Sequence, residues 1–202
     1  MKAKQKGEGN FKPIPAGMHT AVCVGLIDLG LQAGNNPKFA PAIKLALIFR
    51  TPDQLTDSGE PMSITAKLTC SMHKKANLRK IVENWFGKSF PDEETAENFD
   101  LKHLLGRAAL INVKHDTKND KTYANIAAVN PLPAAIPKPV VPAEDLIFYD
   151  GDMTVEQKNA VWDRIPEWLQ KLITEQLQPK AAPAGGGEQP AREPGSDDDI
   201  PW

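Results

Sequence analysis

Hydrophobic and polar positions change rhythm along the chain. From His19 to Gly30, apolar and β-branched residues form a strand-like run closed by glycine. Gln32–Pro41 reads as a loop whose turn is Gly34-Asn35-Asn36-Pro37, and Ala42–Arg50 as a second strand. A polar hairpin connection, Thr51–Gly59, leads to a third run, Glu60–Cys70. Its alternation puts Met62, Ile64, Ala66, Leu68 and Cys70 on one face. The period then lengthens. Leu78, Ile81, Val82, Trp85 and Phe86 fall at helical spacing within Lys74–Phe86, and Gly87 stops the helix. Pro91–Asn98 reads as an acidic loop and Phe99–Gly106 as a short helical turn. Arg107–His115 and Lys121–Asn130 are the fourth and fifth strands, joined by the polar turn Asp116–Asp120.

This order, three strands, a helix and two strands, predicts a mainly β domain. It is that of the OB-fold, a five-stranded Greek-key barrel with its helix between strands three and four. Periodicity alone leaves other small β-barrels open; the helix position favours OB. The expected interior is Val22, Val24, Leu26, Ile43, Leu45, Leu47, Ile64, Leu68, Ile111, Val113 and Ile126.

The pattern divides the chain into a basic flexible arm (1–12), the barrel (13–131), a Pro-rich strap with helices (132–178) and an acidic tail (179–202). The segment Pro131 to Pro142 contains five prolines, its two ends included. Thr154 and Gln157 have capping-box spacing, with Val155, Ala160, Val161 and Trp162 as an apolar stripe. Pro166 can open a further helix through Leu177, with Trp168, Leu169, Leu172, Ile173 and Leu177 on its apolar side. Helices this short need a surface, either the barrel or a second protomer. A homo-oligomer, most simply a dimer, is therefore expected. The tail is expected to be a disordered tether, having almost nothing to bury before Ile200.

Charge sharpens the division. The net charge of −2 over 202 residues conceals 19 Lys+Arg against 13 Asp+Glu in residues 1–138, a net of +6. Residues 139–178 carry −5 and residues 179–202 carry −3. A basic body followed by acidic segments suits a protein that binds a polyanion with one part and basic proteins with another. Cys23 and Cys70 form no CxxC pair and read as two buried thiols of a reducing compartment. No signal peptide and no membrane span is expected, so the localisation expected is the cytoplasm.

Single-stranded nucleic acid is held by cations along its phosphates and by flat side chains under its bases. In an OB-fold the groove crosses strands two and three between two loops. Lys38 and Phe39 lie in the first loop, Lys44 and Arg50 on strand two, and Lys67 on strand three. Lys114, His115, Lys118, Lys121 and Tyr123 surround the second loop. Any single lysine here also reads as a solvated surface charge, and Phe39 as a core-edge aromatic. Lys74, Lys75, Arg79 and Lys80 form a second basic cluster, either a solvated helix face or a path for the strand. Trp85, Phe86, Trp162 and Trp168 sit in apolar stripes and read as core or interface. The histidines show no metal-ligand spacing, no nucleophile motif is present, and Gly185-Gly186-Gly187 lacks the context of a phosphate loop. No cofactor, no metal and no enzymatic activity are expected.

The final residues, Asp197-Asp198-Asp199-Ile200-Pro201-Trp202, run three carboxylates into an apolar tripeptide. An apolar pocket can take the Trp202 ring with Ile200 beside it, and Pro201 lowers the ordering cost of binding. A cation at the pocket rim can pair with a terminal carboxylate, while the aspartates steer the segment to a basic surface. This segment resembles the C-terminal tip of bacterial single-stranded DNA-binding proteins, departing from it at Trp202, where that family has Phe. The body is similar to phage-encoded OB-fold proteins of that kind at Pro15-Ala16-Gly17 with His19–Val22, at Leu105–Val113, at Lys121–Ile126 with Pro131, and at Ile165–Ile173. The resemblance implies a phage or prophage protein that binds and protects single-stranded DNA with little sequence preference. Its setting is replication, recombination and repair, and Asp197–Trp202 recruit host or phage proteins. The rivals are an adaptor that uses the barrel for protein contacts and a recombination nuclease.

Overall fold

A computed structural model describes residues 12–34, 39–119 and 121–177. The basic arm up to residue 11, Lys38, and the tether with Asp197–Trp202 lie outside the described residues. The described part is mainly β. Strands β1 (Gly17–Gln32), β2 (Ala42–Leu55), β3 (Pro61–Thr69), β4 (Ala108–Lys118), β5 (Lys121–Asn130) and β6 (Ile147–Tyr149) form one sheet. The pairing path runs β3-β2-β1-β4-β5 and is antiparallel throughout; β6 joins β1 in parallel, off that path. Helix α1 (Asn77–Phe86) lies between β3 and β4 in the chain, as its periodicity predicts, and α2 (Glu93–Glu97) follows. The second of these replaces the expected acidic loop: Asp92 caps it, accepting a hydrogen bond from the Thr95 amide at 2.6 Å. Helices α3 (Val155–Trp162) and α4 (Glu167–Thr174) end the described chain.

β1 is the spine. Its first residues pair with β4 from Gly17 to Val22, and β6 takes the same edge at Gly25–Ile27. Between them the Cys23 amide donates to Arg107 O at 3.1 Å and the Gly106 amide to Cys23 O at 2.8 Å. On its other edge β1 pairs with β2, and the register slips between Cys23 and Gly25. A bulge shifts side-chain parity. Before it, Ala21 and Cys23 face the interior; after it, Leu26 does. Val22, Val24, Ile27 and Leu29 therefore face outward. Gly25 lets the strands close there, since a Cβ on it would lie 2.9 Å from the Ile48 side chain.

The expected interior is corrected accordingly. Val22 and Val24 belong to a second core on the outer face, while Ile43 is 53% exposed. Leu26, Leu45, Leu47, Ile64, Ile111 and Val113 are interior as expected, with Leu68 and Ile126 packed against that core. α1 contributes Leu78, Val82 and Trp85 to it. The Trp85 ring lies 5.4 Å from that of Phe49, and its Nε1 donates to Ala108 O at 2.8 Å. Gly87, at φ 66°, supplies the left-handed C-cap.

The outer core is made by Val22, Val24, Ile27, Leu29, Ala46 and Ile48 of β1 and β2 against Ile147, Tyr149, Ile165, Leu169 and Ile173. α4 is tied down at its far end: Gln32 Nε2 donates to Leu172 O at 2.9 Å and the Leu177 amide to Leu31 O at 2.8 Å. The surface that these helices need is thus the sheet of their own chain, the first of the two alternatives. The Thr154–Gln157 capping box forms. The stripe expected on α3 is only partly used: Val161 and Trp162 pack on the outer core, whereas Val155 and Ala160 are exposed. α4 stops at Thr174, short of Leu177.

Candidate nucleic-acid interface

The β4–β5 hairpin gathers four of the expected residues. Ile111, Val113 and Ala124 turn inward, so alternation sends Lys114, Asp116 and Lys118 to the outer face. The register sets them opposite Asn125, Tyr123 and Lys121 respectively. Side chains directly opposite on one face stand about 5 Å apart at Cβ. Lys114, Lys118 and Lys121 therefore surround Tyr123, which is 50% exposed. The one acid of the patch among the described residues, Asp116, accepts a 2.7 Å hydrogen bond from Asn125 Nδ2. Such a face offers three ammonium groups and a phenol ring to a phosphodiester chain.

His115 points the other way. Its Nε2 lies 2.7 Å from Ile14 O, where it ties the N-terminal segment to β4. Phe39 is exposed, at 61%, in the β1–β2 connection beside Lys38, which is not among the described residues.

On β2 and β3 the outer face carries Lys44 opposite Thr69, Ala46 opposite Lys67, Ile48 opposite Thr65 and Arg50 opposite Ser63. The expected groove is open only in part. Ala46 and Ile48 lie under the C-terminal segment, and Arg50 Nη1 is 2.5 Å from Asp145 Oδ2, so Arg50 serves to fasten that segment. Lys44 Nζ donates to Ala33 O at 3.0 Å. Lys67 remains exposed, with its Nζ 5.8 Å from the centre of the Trp168 ring. Trp168 is 46% exposed, although its spacing reads as core. A neighbour 101 positions away in sequence leaves no local signal of this pairing.

The second basic cluster separates in the same manner. Arg79 is buried and held by Glu83 at 3.1 Å and Glu93 at 2.7 Å, so it belongs to the packing of α1 and not to a solvated face.

Elsewhere the chemistry argues against a phosphate path. A cavity of about 280 Å³ lies beside the ends of β1 and β2, with Phe99, Phe148 and Ile43 in its lining and Asp28, Asp100 and Asp150 among its polar residues. The pKa values of two neighbours of this cavity are raised. Burial and then Asp28 push the Tyr149 hydroxyl above its ordinary value, and burial, Asp28 and Asp150 do so for the Cys70 thiol. Cys70 is exposed, against the expectation of two buried thiols. Cys23 is fully enclosed, and burial pushes its thiol up to about 12, so it holds no thiolate at neutral pH.

Searches of family models and of curated proteins found no match to this chain.

Proposed function

We propose that this chain is a non-enzymatic single-stranded DNA-binding protein built on an OB-type barrel. The observation that carries the reading is the outer face of the β4–β5 hairpin, where Lys114, Lys118 and Lys121 surround exposed Tyr123. Cations for phosphates and a flat ring for bases are the two requirements for holding a single strand without sequence preference. The fold supports it. The pairing path β3-β2-β1-β4-β5, with β3 and β5 as its edges, matches a five-stranded Greek-key barrel opened at one seam, with α1 filling its base. β6 is then an addition from the strap. Phage origin and work in replication, recombination and repair within a bacterial cytoplasm rest on the resemblance of the sequence. So does the recruitment of partner proteins by Asp197–Trp202. No described helix is long and apolar enough to cross a membrane.

The test is fluorescence anisotropy on labelled oligo(dT) with Tyr123→Ala and Phe39→Ala. Each lost stacking contact is expected to weaken binding by about 1–3 kcal/mol. If wild-type protein binds oligo(dT) and neither folded variant differs from it, the chosen face is wrong. If wild-type protein binds basic partner proteins but no oligo(dT), the chain is an adaptor.

A further inference from the structure

The post-barrel helix α4 has two kinds of apolar residue. Leu169 and Ile173 are buried in the outer core, and Leu172 packs against it. Trp168 belongs to neither core; its ring stands at the border of α4 and β3 with nearly half its surface in solvent. Its ring is thus about half covered, unlike the enclosed side chains that anchor the helix.

Met62 and Ile64 of β3 face the interior, so Ser63, Thr65, Lys67 and Thr69 face outward. β3 is an edge strand of the pairing path; on this face Ser63, Lys67 and Thr69 are exposed and Thr65 is half-buried. Lys67 Nζ lies 5.8 Å from the Trp168 ring centre. One turn along α4, exposed Lys171 makes only a 3.8 Å contact with Glu175, itself exposed. One cation thus lies over a half-open indole, a second stands three positions along the same helix, and exposed Ser63 and Thr69 on the β3 face carry hydroxyls that can donate to phosphate oxygens.

We propose that Trp168 is a base-stacking platform for single-stranded DNA, with Lys67 and Lys171 taking the adjoining phosphates. This rests on the single-strand reading above and extends it to an element outside the barrel. The C-terminal helix then both covers the outer face of β1–β2 and rebuilds on its own surface part of the groove that it covers. Bases are the occupant argued for because a half-open indole with one ammonium group over it and a second along its helix pairs a π-face with phosphate-binding charge, the combination used on single strands.

The experiment is an oligo(dT) titration of the full chain carrying Trp202→Phe, followed by both tryptophan emission and the anisotropy of labelled oligonucleotide. Of the remaining tryptophans, Trp85 is enclosed and Trp162 partly buried, so Trp168 should dominate any quenching. Adding Trp168→Phe should remove most of the quench while keeping most of the affinity. Trp168→Ala should weaken binding roughly tenfold, and Lys67→Gln should weaken it less. Unchanged thermal melting separates lost stacking from lost folding; if Trp168→Ala does not fold, the quench in Trp168→Phe and the affinity of Lys67→Gln still decide. The proposal is overturned if the parent protein binds oligo(dT) while Trp168→Ala matches it within twofold, or if quenching survives in Trp168→Phe. Those results leave the barrel reading standing. A parent protein that does not bind oligo(dT) at all overturns that reading, and this inference with it.

Discussion

Leu169→Ala is the most informative perturbation of the architecture. Leu169 is fully buried between α4 and the outer face of β1–β2, among Ile27, Leu29, Ile48, Ile165 and Ile173. Truncation removes the transfer free energy of the lost carbons and leaves a void that helix and sheet close only in part. Such changes cost about 2–5 kcal/mol. A domain of 150–250 residues loses about 2–4 °C in melting temperature per kcal/mol, so a central cost of ~3 kcal/mol lowers Tm by roughly 6–12 °C. The control is the adjacent residue. Trp168→Ala removes a larger side chain from the same helix, but one standing outside both cores and about half exposed, and should cost less than Leu169→Ala. The assay is thermal unfolding by circular dichroism, with urea unfolding to give the free energies. A Leu169→Ala shift no larger than that of Trp168→Ala would refute the docking of α4 on its own sheet. A melting temperature that rises steeply with protein concentration would instead assign the covered face to a second copy.

Gly25→Ala should destabilise by about 1–3 kcal/mol, because its Cβ meets Ile48 at 2.9 Å inside a packed core, and urea unfolding measures it. Native protein should present one titratable thiol to an aromatic disulfide reagent at pH 8, that of Cys70, and two after denaturation. Cys23, with its pKa raised to about 12, is almost wholly protonated at that pH and enclosed as well. Trp202→Ala should abolish binding of partner proteins in a pull-down, while Trp202→Phe stays close to wild type, since only the former empties an aromatic pocket. Equal retention of partners by both variants would leave the segment as a solubility device.

Elements with a local cause were legible in the sequence. α1 is marked by five apolar residues at helical spacing and a glycine stop, and the α3 start by its capping box. What escaped depends on distant partners. A bulge at Gly25 exchanges the faces of Val22 and Val24, and nothing in simple alternation shows where parity slips. β6 is three residues long and becomes a strand only because β1 offers an edge that β4 vacates. The same holds for the candidate interface. Lys114, Lys118, Lys121 and Tyr123 share a face because they flank one tight hairpin, which sequence can express. Arg50 finds Asp145 across 95 positions and Trp168 finds Lys67 across 101, pairings that only the docking of the C-terminal segment creates.

The central claim, that the hairpin face holds single-stranded DNA through its phosphates, is tested most directly by oligo(dT) affinity across salt concentration. The comparison is wild-type protein against Lys114→Ala/Lys118→Ala/Lys121→Ala. Log affinity should fall linearly with log salt, at about −0.7 per phosphate neutralised. The triple variant should have a slope shallower by up to ~2, together with weaker binding at low salt. An unchanged slope, no binding at low salt, or tighter binding to duplex than to oligo(dT) would contradict the account.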